Sequence, residues 1–377
     1  MGSRRLLVAV LLGLSVLFVI PAFTHGYIYP TGGDDTAAHL AYFKVMDAQG
    51  PNYWGQYLVG KMVNALPFDP VTTFSIFNYA AFVLVIWSVG LATTLVVNPA
   101  GGIMAAILVV FGSRVALDQF WSGAIFNLIN LGIIFPWLLL CLHNLRKGFG
   151  WAIGAGAGGM AFTLFHTDGM YVFALIPVVV ACEIWHSKLG RLAQYRFSLY
   201  LLALSAVLMA GFLLMPKLYS ERLLADAVIL VAILIASVVA NLHSPLLTLA
   251  VIVCAVVAVP NVSLWLQDNS AVKQADKAAI GYLQSQPAGT FSASPEVAEP
   301  IYSLFISRKF VSKGYGDYSI VRSVPMTCQS DPKSEWFKNG NRVGYTTLGY
   351  TELARFDFGE KDGTTGKPIV VTVYRRK

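Results

Sequence analysis

The sequence predicts an α-helical polytopic membrane protein of about nine transmembrane helices with a small C-terminal α/β extracytoplasmic domain. Three observations predict it. Of 377 residues, 56% are hydrophobic and only 12% charged, with a mean hydropathy of +0.62, whereas a soluble domain carries about 25% charged residues. The charges are unevenly spread: residues 1–262 hold 12 of the 27 Lys/Arg and 9 of the 20 Asp/Glu. Long apolar runs recur throughout that front portion and are missing from the rest.

Spanning a hydrocarbon core takes about 20 apolar residues, and backbone groups there must be satisfied within the segment, so each long run reads as a helix. The runs fall near residues 5–24, 71–96, 100–113, 124–144, 151–165, 170–185, 197–215, 224–241 and 245–262. The first follows Arg4 and Arg5, but Pro21–Ala22–Phe23–Thr24–His25 lacks a small-x-small cleavage site; an uncleaved anchor is therefore expected over a signal peptide. With Met1 in the cytoplasm, the inner loops collect Arg4, Arg5, Arg146, Lys147, Lys188, Arg191 and Arg196 against a single nearby acid, Glu183. That distribution obeys the positive-inside rule. An odd number of crossings then places residues 263–377 outside, as a soluble domain separate from a transmembrane domain over 1–262 whose first outer loop is 25–70.

The net charge of +7 carries no Lys/Arg stripe interleaved with aromatics, which excludes nucleic acid as the natural partner. Cys141, Cys182 and Cys254 lie in apolar runs and Cys328 stands alone in the tail, without zinc spacing or an evident disulfide pair. Gly154, Gly156, Gly158 and Gly159 mimic a dinucleotide loop, yet no strand precedes them; close packing of membrane helices explains them better. In the tail, Ala275, Ala279, Tyr282 and Leu283 recur at helical spacing and predict a helix over Val272–Gln284, while Ile369–Tyr374 reads as a strand.

Candidate chemistry gathers on the outer face. The first outer loop is far longer than a connector needs, and long ordered loops are often functional. From Thr36 onward it suits an amphipathic helix. Leu40, Phe43 and Met46 can face lipid or protein, and Asp35, His39 and Tyr42, at i, i+4 and i+7, share another face. Asp34 or Asp35 can be a helix N-cap, since a carboxylate there accepts orphan amide protons. The adjacent carboxylates with His39 one turn on equally suit a general base or a divalent-metal site for Mg or Mn, with Asp34 and Asp35 as ligands. His39 by itself also reads as a structural hydrogen-bonding residue. Further outward groups are Tyr53 and Trp54, Arg114, the turn containing His166 and Asp168, and Lys217 and Arg222. Ionisable groups at membrane depth are costly and point to function, although His166 and Asp168 equally fit an interfacial loop. The cations can pair with a lipid phosphate or simply anchor the chain at the interface.

These residues resemble the GT-C class of multispanning glycosyltransferases, in particular its bacterial and archaeal members. The resemblance rests on a first span followed by Gly33–Asp34–Asp35–Thr36–Ala37–Ala38–His39–Leu40, then Tyr53–Trp54 through Leu66, and Phe68–Asp69–Pro70 before the second span. It continues through Phe120–Trp121–Ser122–Gly123, the His166 turn and Gly316–Asp317–Tyr318–Ser319–Ile320–Val321–Arg322–Ser323. It implies hexosyl or pentosyl transfer from a polyprenyl-phosphate-linked donor to a glycan, lipid or protein acceptor on the extracytoplasmic face. Asp35 is then the base or a metal ligand, with Asp34 beside it, and the anomeric centre inverts. The implied setting is an integral, multi-pass cell-membrane protein.

The chain departs from that pattern in having fewer spans than many relatives, no Trp-Trp-Asp sequence and no Asp-Glu pair. A non-catalytic scaffold or accessory subunit with membrane-protein partners is the alternative expectation. A transporter is disfavoured, because the polar groups cluster at one face and no inverted repeat is visible.

Overall fold

The computed structural model describes residues 3–24, 39–40, 42–43, 46–47, 50–51, 54–68, 70–111, 120, 124–144, 196–214, 220–240, 253, 273–294, 316–324, 349–361 and 366–377. In chain order these form helices α1 (Ser3–Thr24), α2 (Trp54–Ala65), α3 (Pro70–Val96), α4 (Pro99–Phe111), α5 (Ile125–Asn144), α6 (Arg196–Leu214), α7 (Ser220–Val239) and α8 (Gln274–Ser285). Strands β1 (Phe291–Ser294), β2 (Tyr318–Arg322), β3 (Tyr350–Lys361) and β4 (Pro368–Arg376) follow.

The structure corrects the expectation of about nine spans. Among the described residues one helical stretch, Thr72–Val96, is long and apolar enough to cross a membrane. Pro99–Phe111 is apolar but shorter, and within α6 and α7 the apolar stretches whose side chains are described are Leu199–Ala210 and Ala227–Val239. For α4 the reason is length: it has 13 residues, about 20 Å at 1.5 Å per residue, against a hydrocarbon core of about 30 Å. Apolar runs in the sequence thus marked helices more faithfully than they marked spans. The runs near 151–165, 170–185 and 245–262 lie outside the described residues, apart from the helical and exposed Val253.

Helices α1 to α7 share one hydrophobic cluster. Leu7, Leu11 and Leu14 of α1 join Phe82, Val85, Ile86 and Val89 of α3, Ala105, Ala106 and Val109 of α4, Leu201 and Leu204 of α6, and Leu230 and Ile233 of α7. Polar bonds fix the register inside it. Tyr79 donates its hydroxyl to the Ser15 carbonyl at 2.6 Å, and Trp87 Nε1 donates to Ser15 Oγ at 3.0 Å, tying α3 to α1. Leu11 sits beside Gly90 and Ser15 beside Tyr79, so α1 and α3 run antiparallel.

Asn98 starts α4 in the expected way for a cap: its Oδ1 accepts the Gly101 amide at 2.9 Å, and Pro99 occupies the first helical position, where a missing N–H costs nothing. Gly102 of α4 then lies against the Gly90 carbonyl and Thr94 of α3, where a Cβ would collide with both.

The tail residues form a mixed sheet of order β1-β2-β4-β3, with β1 parallel to β2 and the other pairs antiparallel. The helix expected over Val272–Gln284 runs Gln274–Ser285, and the strand expected over Ile369–Tyr374 runs Pro368–Arg376. Ala275, Ala279 and Leu283 line one face of α8 and pack with Phe291, Tyr318, Ile320, Ile369, Val371 and Val373. Edge strand β3 carries register shifts at Glu352/Ala354 and Asp357/Lys361. Gly359 sits in the second at φ 72°, a left-handed conformation that glycine adopts without a Cβ penalty.

Candidate functional site

The best-defined part of the predicted site is His39. Its Nδ1 lies 2.8 Å from Gln56 Nε2. With that amide donating, Nδ1 accepts and the ring proton sits on Nε2. Around the imidazole stand Phe126 of α5, edge-on at 4.7 Å between centroids, Phe74 of α3 at 6.1 Å and Phe43 at 6.3 Å. Phe74 and Phe126 each lie near the start of their helices. The histidine therefore sits where α3 and α5 begin, half-buried among aromatic rings.

Local sequence explains how α2 reaches it. Gly55, Gln56, Val59, Gly60 and Val63 form its buried face. At Gly60 a Cβ would come within 2.6 Å of both Met46 Sδ and Phe43 Cδ1, so glycine lets Phe43 and Met46 pack directly on the α2 backbone. Asn64 Nδ2 adds a bond to the Phe43 carbonyl at 2.8 Å. Gln56 Oε1 is buried and receives no hydrogen bond from any described residue. A buried orphan acceptor costs about 1–3 kcal/mol, so this amide presents an oxygen suited to a further donor.

Leu40, Phe43 and Met46 are buried, which resolves their expected apolar face toward protein. Tyr42 does not share an open polar face with His39: its ring is buried and its hydroxyl donates to the Gly50 carbonyl at 2.7 Å. Trp54 opens α2, exposed, with its ring edge-on to Tyr57 at 6.2 Å. Lys61 pairs with Asp47 at 2.7 Å, and that hydrogen bond holds its ammonium above the ordinary lysine range.

Asp34, Asp35, Tyr53, Arg114, His166, Asp168 and Lys217 lie outside the described residues. Arg222 lies on α7, in a stretch where only the backbone is described. Among the described residues no group of three or more His, Cys, Asp or Glu is arranged to hold a metal, and the proposed ligand pair falls outside them.

Gln56 was missed in the sequence. Its signal was there, a polar residue on the same helical face as Val59, Gly60 and Val63. Gly316–Asp317–Tyr318, which carried part of the family resemblance, has a local structural explanation. At Gly316 a Cβ would lie 2.7 Å from the Phe291 carbonyl carbon, Asp317 accepts from the Thr290 amide and hydroxyl, and Tyr318 is buried.

No protein-family model matches the chain, and no curated protein matches it. The resemblance to GT-C glycosyltransferases therefore stands on the quoted motifs alone.

Proposed function

We propose that the chain is a membrane-bound glycosyltransferase that moves a sugar from a polyprenyl-phosphate-linked donor to an acceptor hydroxyl. The observation that carries this reading is the His39–Gln56 pair, an oriented imidazole beside a buried amide oxygen unsatisfied among the described residues, at the end of the helix bundle where α3 and α5 begin. A hydroxyl-bearing substrate supplies the donor that Gln56 Oε1 lacks. Asp35, one helical turn before His39 in sequence, takes the acceptor proton. The acceptor oxygen then bonds to the anomeric carbon as the carbon–oxygen bond to phosphate breaks, and polyprenyl phosphate leaves with the bonding pair.

A membrane setting is supported by where α3 puts its apolar side chains. Ile76, Leu84, Leu91 and Leu95 are exposed and fall within an arc of about 100° at helical spacing, while Asn78 and Thr93, on the opposite side, are buried. Apolar groups outside with polar groups inside is the arrangement expected of a helix surrounded by hydrocarbon.

The test is transfer of radiolabelled sugar from a panel of polyprenyl-phosphate donors by the full chain in lipid nanodiscs. Asp35→Asn is expected to lower transfer by about 100-fold or more with the protein still folded. Undiminished transfer by that variant, or no transfer from any donor by the unaltered chain, overturns the reading.

A further inference from the structure

Helix α2 divides its circumference into three sectors. With successive residues about 100° apart, Trp54, Leu58 and Met62 occupy one arc of about 80°. These three side chains are 52% to 56% exposed, and Leu66 and Phe68 extend the apolar surface past the helix end at 41% and 61%. The next sector is the buried face of Gly55, Gln56, Val59, Gly60 and Val63. The last holds Tyr57, Lys61 and Asn64, with Lys61 bridged to Asp47 and 5.5 Å from the Tyr57 ring centroid.

A helix packed on protein along one side needs one apolar face, and this one has two. The second is too large for scattered surface residues: five bulky side chains in a span of fifteen residues, open to their surroundings. What covers it is indicated by its neighbours. Only residues 66–69 separate α2 from α3, whose Thr72–Val96 stretch is the one described helix able to cross a membrane. The apolar sector therefore adjoins the point where that helix enters hydrocarbon. Along its border runs a lysine sector, and Trp54, an interfacial residue type, heads the stripe.

We infer that α2 lies in the plane of the membrane surface, with Trp54, Leu58, Met62, Leu66 and Phe68 immersed in lipid and Tyr57, Lys61 and Asn64 turned to water. This rests on the membrane setting proposed above. The surface is then a lipid-docking face that seats Gln56, and with it His39, at a fixed depth beside the headgroups. A lipid-linked substrate would present its phosphate at that level.

Spin labels placed singly by Leu58→Cys, Met62→Cys, Lys61→Cys and Leu91→Cys test it, in the full chain with its four native cysteines replaced. The protein is reconstituted in vesicles of phosphatidylcholine and phosphatidylglycerol. Collision with oxygen, enriched in lipid, is compared with collision with a water-soluble nickel chelate. The expected result is an oxygen-to-nickel ratio several-fold higher at 58 and 62 than at 61, with 91 also on the lipid side. Equal nickel access at 58, 61 and 62, with 91 still in lipid, overturns the inference and leaves the membrane setting standing. Shielding of 58 and 62 from both reagents identifies a protein occupant, such as a second copy, and also overturns it. Nickel access at 91 removes the membrane setting itself.

Discussion

Arg322 Nε lies 3.0 Å from Asp276 Oδ1, joining strand β2 to helix α8 through side chains that are 2% and 0% exposed. Both ends are otherwise satisfied: Asp276 Oδ2 accepts the Lys273 amide at 2.8 Å, and Arg322 Nη1 donates to the Val324 carbonyl at 2.6 Å. Removing one partner leaves a buried uncompensated charge. Arg322→Met is expected to destabilise the tail by about 3–5 kcal/mol, whereas Arg322→Met combined with Asp276→Leu costs less than Arg322→Met alone. Protection of the β2 and β4 amides from hydrogen exchange measures both.

Two glycines of the same region should respond in opposite directions. Gly316→Ala drives a methyl into the β1 backbone at Phe291 and Ser292, where nothing can swing aside. A loss of about 1–3 kcal/mol is expected. Gly281 lies within α8 with nothing near its Cβ position, so Gly281→Ala should stabilise by about 0.5–1 kcal/mol. Denaturant titration of the two variants, followed by the same exchange probes, compares them.

Asp317 gives the tail an acid-dependent contribution. The Thr290 amide and hydroxyl donate to its carboxylate at 2.7 and 2.8 Å and hold its pKa below the ordinary 3.8. Because the folded pKa is the lower one, the stabilisation is fully present above the unfolded value and disappears as pH falls toward and through the folded value. Asp317→Asn should therefore flatten the fall in unfolding temperature below about pH 4 relative to the unaltered chain, and added salt should weaken the difference, since the group is exposed.

Gln56→Leu tests the amide at the proposed site. The substitution removes the bond to His39 Nδ1 and the open acceptor together. Loss of one bond of about 1 kcal/mol corresponds to roughly fivefold in transfer rate. The pH profile of transfer should change as well, because the Gln56 amide no longer donates to His39 Nδ1; a lower rate with an unchanged profile would confine Gln56 to a packing role.

The sequence made the helices readable through their composition. Apolar runs coincide with α1, α3 to α7, and the Ala275–Ala279–Leu283 spacing marked α8 within two residues of its start. Span number was less readable: the run near 100–113 forms a helix, α4, that ends after 13 residues and falls short of a span. Strand β3 was also hidden: Glu352, Arg355, Asp357, Glu360 and Lys361 give it no clean alternation, as befits a strand paired on one side only. Of the candidate site, His39 was legible from its spacing to the acidic pair. Its partner Gln56 comes from 17 residues further on, a distance that no local periodicity spans.

Asn98 uses the two halves of its amide at different stages of the chain's history. Oδ1 reaches Gly101, three residues on, and is available as soon as that turn leaves the ribosome. Nδ2 points to the Ala240 carbonyl at 3.4 Å, 142 residues away, and must wait until α7 has been made. A side chain that first opens one helix later closes the end of another, so the start of α4 is a ready-made landing point for a segment synthesised long after it.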